Sequence, residues 1–240
     1  MNIGAPIRRF GECLSTQDEA RALALAGAPE GAAVVADRQT AGRGTKGRSW
    51  FSPSGKGLYV TFILRPKPGP RLSLLPLAVG IAAREAAAGA TPLPGLRIKW
   101  PNDLVFEGRK AAGILCEGGG LPGASPFVLA GVGVNVNQDP EDFPPELRAG
   151  SVSLKTASGR AVDREALLAS LCASLETWYN LFSKGTGAEI IRAYEERMSF
   201  IPGERIGLEA AGAKIEGTFI GLDASGGLVC EQGGRKTVYY

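Results

Sequence analysis

The sequence contains no histidine, and that absence removes more chemistry than any other feature of its composition. Ser-His-Asp and Cys-His catalysis cannot be assembled within the chain, the usual general base near neutral pH is missing, and the commonest zinc ligand is gone. Only four cysteines occur, Cys13, Cys116, Cys172 and Cys230, and no two stand in Cys-x-x-Cys spacing, so a protein-held metal is not expected. Apolar runs stop short of spanning length, and the N-terminal Met-Asn-Ile-Gly-Ala-Pro-Ile-Arg-Arg-Phe lacks the apolar stretch of a secretion signal. A cytoplasmic protein without a membrane partner is the expectation. The net charge of +3 is too small and too evenly spread to argue for nucleic acid as partner, and no DNA partner is expected. Chemistry here must rest on positioning, on Lys and Arg charge, on a carboxylate, or on a metal brought by a substrate.

What the chain has is glycine, 34 residues in 240, alongside a globular hydrophobic content of 44%. The glycines matter most between Gln39 and Trp50, where Gly42, Gly44 and Gly47 alternate with Arg43, Lys46 and Arg48. Such a loop brings backbone amides and fixed positive charge close to an anion, phosphate above all. Its spacing imitates both a dinucleotide fingerprint and a Walker A loop, but both need a helix to begin where the glycines end. Here Trp50-Phe51-Ser52-Pro53-Ser54-Gly55 follows, then a β-branched run from Leu58 to Leu64, so the loop lies between two strands. A solvated basic hairpin is the alternative on composition alone.

Elsewhere the pattern reads as α+β. A helix is expected from about Gln17 to Ala26, with Thr16 and Glu19 as capping box, or with Ser15 and Thr16 facing a ligand at the helix mouth. Strands are expected at Ala32 to Ala36, Leu58 to Leu64, Leu96 to Trp100, Leu104 to Phe106, Arg109 to Glu117 and Phe127 to Val136. Gly131 and Gly133 inside the last strand suggest a ligand lying against the backbone. Helices are expected at Leu72 to Ala88, from about Asp163 to Lys184, and at Ala188 to Met198. Short strands beyond Pro202, with turns at Ala211-Gly212, Asp223 to Gly227 and Gly233-Gly234, have the spacing of a small β-barrel.

Four motifs together resemble those of biotin protein ligases. They are Gly42-Arg43-Gly44-x-x-Gly47-Arg48-x-Trp50, Lys99-Trp100-Pro101-Asn102-Asp103-Leu104, Lys110-x-x-Gly113-Ile114-Leu115-x-Glu117, and Gly131-Val132-Gly133-Val134-Asn135-Val136-Asn137. The resemblance implies a mixed, largely antiparallel sheet with helices packed on it, catalytic over residues 1–198, and a small SH3-like barrel over residues 199–240. It implies that biotin and ATP react to biotinyl-5′-adenylate, with magnesium carried by ATP, and that the acyl group passes to a lysine of a carboxyl carrier domain. Neither step needs a histidine.

By the same resemblance, Ser15, Thr16, Gln17 and Gln39 meet biotin's ureido group, Gly42, Arg43, Gly44 and Thr45 close over it, and Gly113 and Leu115 line its pocket. Lys110 bridges the biotin carboxylate and the α-phosphate. Arg43 and Arg48 meet phosphates, Lys99 holds the β and γ phosphates, Trp50 shields the adenylate, and Asn102 and Asn135 contact the nucleotide. Asp103 orients the incoming lysine, unless it serves only its turn. Two positions depart from the family pattern: Gln17 stands where Asn is usual, and Thr45 where Arg is usual, which implies looser retention of the adenylate. A start directly at the catalytic region implies a monofunctional ligase without DNA binding, and leaves a homodimer open. Competing readings are a lipoate or octanoate ligase of the same fold, whose Arg-Arg-x-x-Gly-Gly-Gly pattern and neighbouring His are absent, and a non-catalytic nucleotide- or RNA-binding module.

Overall fold

The structure, a computed structural model, describes residues 2–120, 126–210 and 213–240. The turn expected at Ala211-Gly212 lies outside the described residues. The chain opens with β1 (Ile7–Cys13), α1 (Thr16–Leu25), β2 (Ala33–Gln39) and β3 (Gly57–Leu64), followed by α2 (Leu75–Ala90). Next come β4 (Leu96–Lys99), β5 (Asp103–Phe106), β6 (Arg109–Gly119) and β7 (Phe127–Asn135). These seven strands form one sheet in the order β1-β2-β3-β7-β6-β5-β4, in which β1 and β2 run parallel and every other pair antiparallel. The sheet is therefore mixed and largely antiparallel, as the sequence implies. The strand β1 has no counterpart in the expectations above; its Ile-Arg-Arg-Phe-Gly-Glu-Cys sequence carries three charged residues in seven, and pairing with β2 makes it a strand.

Alternation along the strands divides the sheet into two unlike faces. Val60 and Phe62 of β3, Ala130, Val132 and Val134 of β7, and Ala112 and Ile114 of β6 enter one core with the long helices. Those helices are α2 and, after the short α3 (Pro145–Arg148) and α4 (Leu154–Ser158), α5 (Arg164–Lys184) and α6 (Gly187–Glu195). The opposite face is apolar only at one end, where Ala20 and Ala24 of α1 pack on Val34, Ile63 and Leu129. Further along it turns to Thr61, Gly113, Leu115, Gly131 and Gly133, the positions that line a cleft. Segment Pro70–Ala90 is long and apolar enough to cross a membrane by length and composition, but its apolar side chains are core, Leu75, Val79, Ile81 and Ala82 among them.

Ser15 caps α1, its hydroxyl accepting from the Gln17 N–H at 3.3 Å, so the expected Thr16–Glu19 box is displaced by one residue. The reason is that the Thr16 hydroxyl is engaged elsewhere, in the site. At the other helix start the Asp163 carboxylate caps α5 through the N–H groups of Glu165 and Ala166.

The C-terminal strands β8 (Arg205–Ala210), β9 (Ala213–Leu222), β10 (Leu228–Gln232) and β11 (Arg235–Tyr239) form a separate four-stranded antiparallel sheet, ordered β11-β10-β9-β8. Ile206, Phe219, Leu228 and Cys230 of this sheet belong to the same core cluster as Leu74 and Leu77 beneath the large sheet. The Trp100 indole N–H donates to the Gly226 carbonyl at 3.0 Å, so the tryptophan of the Lys-Trp-Pro-Asn-Asp motif fastens the two sheets together.

Candidate active site

The basic glycine loop is a small hairpin of its own. Gly44 N–H donates to Arg48 O at 2.7 Å, Trp50 N–H to Gly42 O at 2.8 Å, and Arg43 bridges Ser49. Lys46 and Gly47 turn its tip with φ of 58° and 71°. Gly42 is fixed by packing, because a Cβ there would lie 2.5 Å from Trp50 O and 2.9 Å from Gln39 Nε2. Behind the hairpin, Asp37 accepts from the Ser54 hydroxyl, from Gly55 N–H at 3.1 Å and from Arg164 at 2.7 Å. Burial raises the Asp37 pKa, but these bonds and the guanidinium charge outweigh it and hold the carboxyl below its ordinary value.

Trp50, at the end of the hairpin, lies on a floor made by glycines. A Cβ on Gly133 would sit 2.6 Å from Trp50 Cε2 and Nε1, and one on Gly113 would sit 3.0 Å from Cζ3. The Lys110 ammonium stands 5.3 Å from the Trp50 ring centroid, and both residues line two adjoining clefts. The glycines at Gly113 and Gly133 are paired across β6 and β7, so the indole rests where two adjacent strands both lack side chains.

The first cleft, about 40 Å³, has polar side chains in a fixed series. Thr61 Oγ1 donates to Thr16 Oγ1 at 2.9 Å, Thr16 Oγ1 to Gln39 Oε1 at 3.1 Å, Gln39 Nε2 to Ser52 Oγ at 2.8 Å, and Ser52 Oγ to Trp50 O at 3.1 Å. Gln39 Oε1 also accepts the Thr16 N–H at 2.8 Å, which fixes which way its amide faces. Beside them Gln17 is 3% exposed and lies over Gly131, donating through Nε2 to Leu115 O at 2.9 Å. Its Oε1 is buried without a hydrogen-bond partner among the described residues, an acceptor that costs roughly 1–3 kcal/mol to leave unmet.

The second cleft, about 190 Å³, is walled by Trp50, Phe51, Phe143 and Leu147, with Arg48, Lys110 and Asn135 as polar members. Sequence reasoning had no signal for Phe143 and Leu147, which arrive from the 137–153 connection; the Phe51 and Phe143 rings stand 6.3 Å apart. Tyr59, Thr61 and Ser151, which also line the clefts, belong to none of the four motifs.

Of the expected residues, the structure brings Ser15, Thr16, Gln17 and Gln39 into the first cleft with Arg43, Gly44 and Thr45, and Asn102, Lys110, Gly113 and Leu115 complete its opposite wall. Asp103 does not line either cleft but lies 2.6 Å from Lys110 Nζ. Asn102 donates to Ile114 O at 3.0 Å, and Asn135 to Lys110 O at 3.2 Å and Val152 O at 3.3 Å. Arg48 reaches back to Thr45, 3.4 Å from both its carbonyl and its hydroxyl oxygen. Gly42 lines neither cleft, and Lys99 is exposed and also outside both, because strand alternation in β4 sends Leu96 and Ile98 inward and Arg97 and Lys99 to solvent.

No thiol here is a ready nucleophile: burial pushes Cys13 up to about 11, helped by Glu19, Asp18 and Glu12, and burial alone pushes Cys116 up to about 12. Among the described residues no three His, Cys, Asp or Glu side chains lie together as a metal site. One polar and one aromatic cleft that share Lys110 and Trp50 suit two ligands reacting with one another beside a fixed positive charge.

Residues 10–136 match the family model described as the biotin/lipoate A/B protein ligase family. The chain belongs to that family. It is 38% identical to the bifunctional ligase/repressor BirA of Bacillus spizizenii over 94% of this chain and 69% of that protein. It is 35% identical to the biotin–[acetyl-CoA-carboxylase] ligase of Paracoccus denitrificans, over 91% and 92% of the two chains. Among solved structures, the biotin protein ligase from Aquifex aeolicus in complex with biotin and ATP superposes with a TM-score of 0.84 at 32% identity, covering 98% of this chain and 95% of that one. Within the family, the chain stands with the biotin protein ligases.

Proposed function

We propose that this chain activates biotin with ATP and transfers it to a lysine of a carboxyl carrier domain. In the first step a biotin carboxylate oxygen attacks the α-phosphorus; a phosphorus–oxygen bond forms, the bond to the β-phosphate breaks, and pyrophosphate leaves. In the second the carrier amine attacks the acyl carbon, the bond to AMP breaks, and the amine loses a proton as the amide forms. The observation that supports this order is Lys110: its ammonium borders both clefts, where it can offset charge on the α-phosphate while holding the biotin carboxylate. Magnesium arrives with the ATP as part of the substrate.

The first cleft suits a ligand rich in N–H and C=O groups. Gln17 Oε1 offers a buried acceptor. Gln39 Nε2 gives one hydrogen to Ser52 and has a second to offer. A ureido ring can use both, whereas a dithiolane can use neither. The adenine ring then takes the aromatic second cleft, with Arg43 and Arg48 near the phosphates and Asp103, beside Lys110, orienting the acceptor amine. The catalytic part is residues 1–198, since every lining residue of both clefts precedes Val152, and residues 199–240 are a small SH3-like part.

Pyrophosphate exchange into ATP with magnesium, run with biotin, with lipoate and with no acid, tests the proposal. Exchange that requires biotin is expected; exchange with lipoate alone, or with neither acid despite ATP binding, overturns it.

Thr45 supplies a hydroxyl where an arginine is usual in the family, and that hydroxyl meets Arg48. Restoring the cation should add one exposed charge-assisted contact to the adenylate, worth about fivefold. Thr45→Arg is accordingly expected to release biotinyl-adenylate about five times more slowly in a single-turnover retention assay. An unchanged release rate would remove position 45 from the account of retention.

A further inference from the structure

The hairpin over the first cleft is stiff inside and held at its edge by charge. Arg43 leaves the hairpin and reaches two carboxylates on separate elements: Nη1 lies 2.6 Å from Asp18 Oδ1, in the first turn of α1, and Nη2 meets Glu117 Oε1, near the end of β6. Glu117 is in turn held by Arg21 of α1, at 3.4 Å. Arg43 lines the cleft, while Asp18, Arg21 and Glu117 do not.

We propose, on the ligase reading above, that Asp18 and Glu117 are positioning residues that clasp Arg43 at the cleft's edge and thereby set how fast ligand leaves. The two carboxylates come from α1 and β6, two elements already joined by Arg21 and by Gln17, so the guanidinium ties the hairpin that bears Gly44, Thr45 and Trp50 to that pair at the cleft's edge. Exposure fixes the strength of the clasp. Side chains 37%, 45% and 23% exposed for Arg43, Asp18 and Glu117 make these pairs weak and open to screening by salt. A clasp of that kind opens readily, unlike a buried ion pair, and its opening should be faster at high ionic strength.

The test uses the full chain and release of labelled biotin, in Glu117→Gln, Asp18→Asn and the double variant, at low and high salt. Release about three times faster in each single variant and about tenfold faster in the double variant is expected at low salt. The wild-type rate should climb with salt and the double variant's should not, while kcat for pyrophosphate exchange at saturating biotin moves less than KM. Thermal melts run alongside confirm that each variant is folded, and Asp18→Asn carries the test should loss of Glu117 unfold the chain through Arg21. Release at the wild-type rate, or faster release that keeps the wild-type salt dependence, overturns the clasp while leaving the ligase reading in place. A wild-type chain that binds no biotin overturns both.

Discussion

Replacing Lys110 with alanine is expected to lower the rate of adenylate formation by about a hundredfold to a thousandfold, the usual cost of deleting one charge-stabilising group at a reacting centre. The fold should survive, because the lysine's structural contacts are made by its backbone: its N–H donates to Gly150 O at 2.7 Å and its carbonyl accepts from Val152 N–H at 3.0 Å. The side chain is 32% exposed and its partner Asp103 24% exposed, but the oxygen that faces the ammonium, Asp103 Oδ1, is buried, so a modest loss of stability should accompany the variant. Lys110→Arg should recover only part of the loss, since a planar fork cannot take the place of a compact ammonium over the indole. Pyrophosphate exchange at saturating biotin and ATP, with ligand affinities measured separately, divides the effect between binding and chemistry. A loss of less than tenfold would remove Lys110 from the centre of the mechanism.

The second large effect is expected from one methyl group. In Gly133→Ala the new Cβ would lie 2.6 Å from the Trp50 indole, closer than any real contact, and the indole must lift. The backbone itself offers no resistance, because Gly133 is not among the positive-φ glycines and sits mid-strand, paired to Gly113 on one side and Tyr59 on the other. Strain of about 1–3 kcal/mol is the usual cost of such overpacking, but here a loop residue can move and the strands can stay. ATP affinity should therefore fall at least tenfold while the melting temperature drops by only a few degrees, about 2–4 °C per kcal/mol for a chain of this size. Isothermal titration with ATP and a thermal melt read the two quantities. Gly207→Ala is the control, an exposed strand glycine with no neighbour within 4 Å, and should change neither. Wild-type ATP affinity in Gly133→Ala would mean that the indole does not need the glycine floor.

The strand–loop–strand context of the basic hairpin, α1, α2, α5 and α6 and the α+β class were legible because each rests on local signals, β-branched runs, caps and turn residues, whereas the short α3 and α4 fall in a stretch that reads as a connection. The strand β1 was not, since an edge strand rich in Arg and Glu has no pattern of its own and is defined by its neighbour β2. The same limit applies in the site. That Gly131 and Gly133 would admit something against the backbone was readable from their place inside a strand, but not that the occupants would be Gln17 and Trp50. Arg43 could be read as a loop cation, yet its partners stand 25 and 74 residues away, a distance no motif covers. Lys99 is the reverse case, a motif residue that stands outside both clefts. Its neighbours Trp100 and Asn102 are engaged with the core and the first cleft, but the alternation of Leu96, Arg97, Ile98 and Lys99 already turned the lysine outward.

The bond from Trp100 to Gly226 changes how the last forty or so residues should be regarded. Gly226 has a φ of +80°, and a Cβ there would press to within 2.8 Å of Leu77 in the core. Its turn is thus set directly into the flank of α2, with Phe219, Leu228 and Cys230 beside it in the same cluster. Recombination between homologues with a crossover after Met198 would have to match that surface side chain for side chain. The C-terminal sheet is consequently a patch of the interior, not an exchangeable cassette, and a substitution in its turn bears directly on a helix more than a hundred residues upstream.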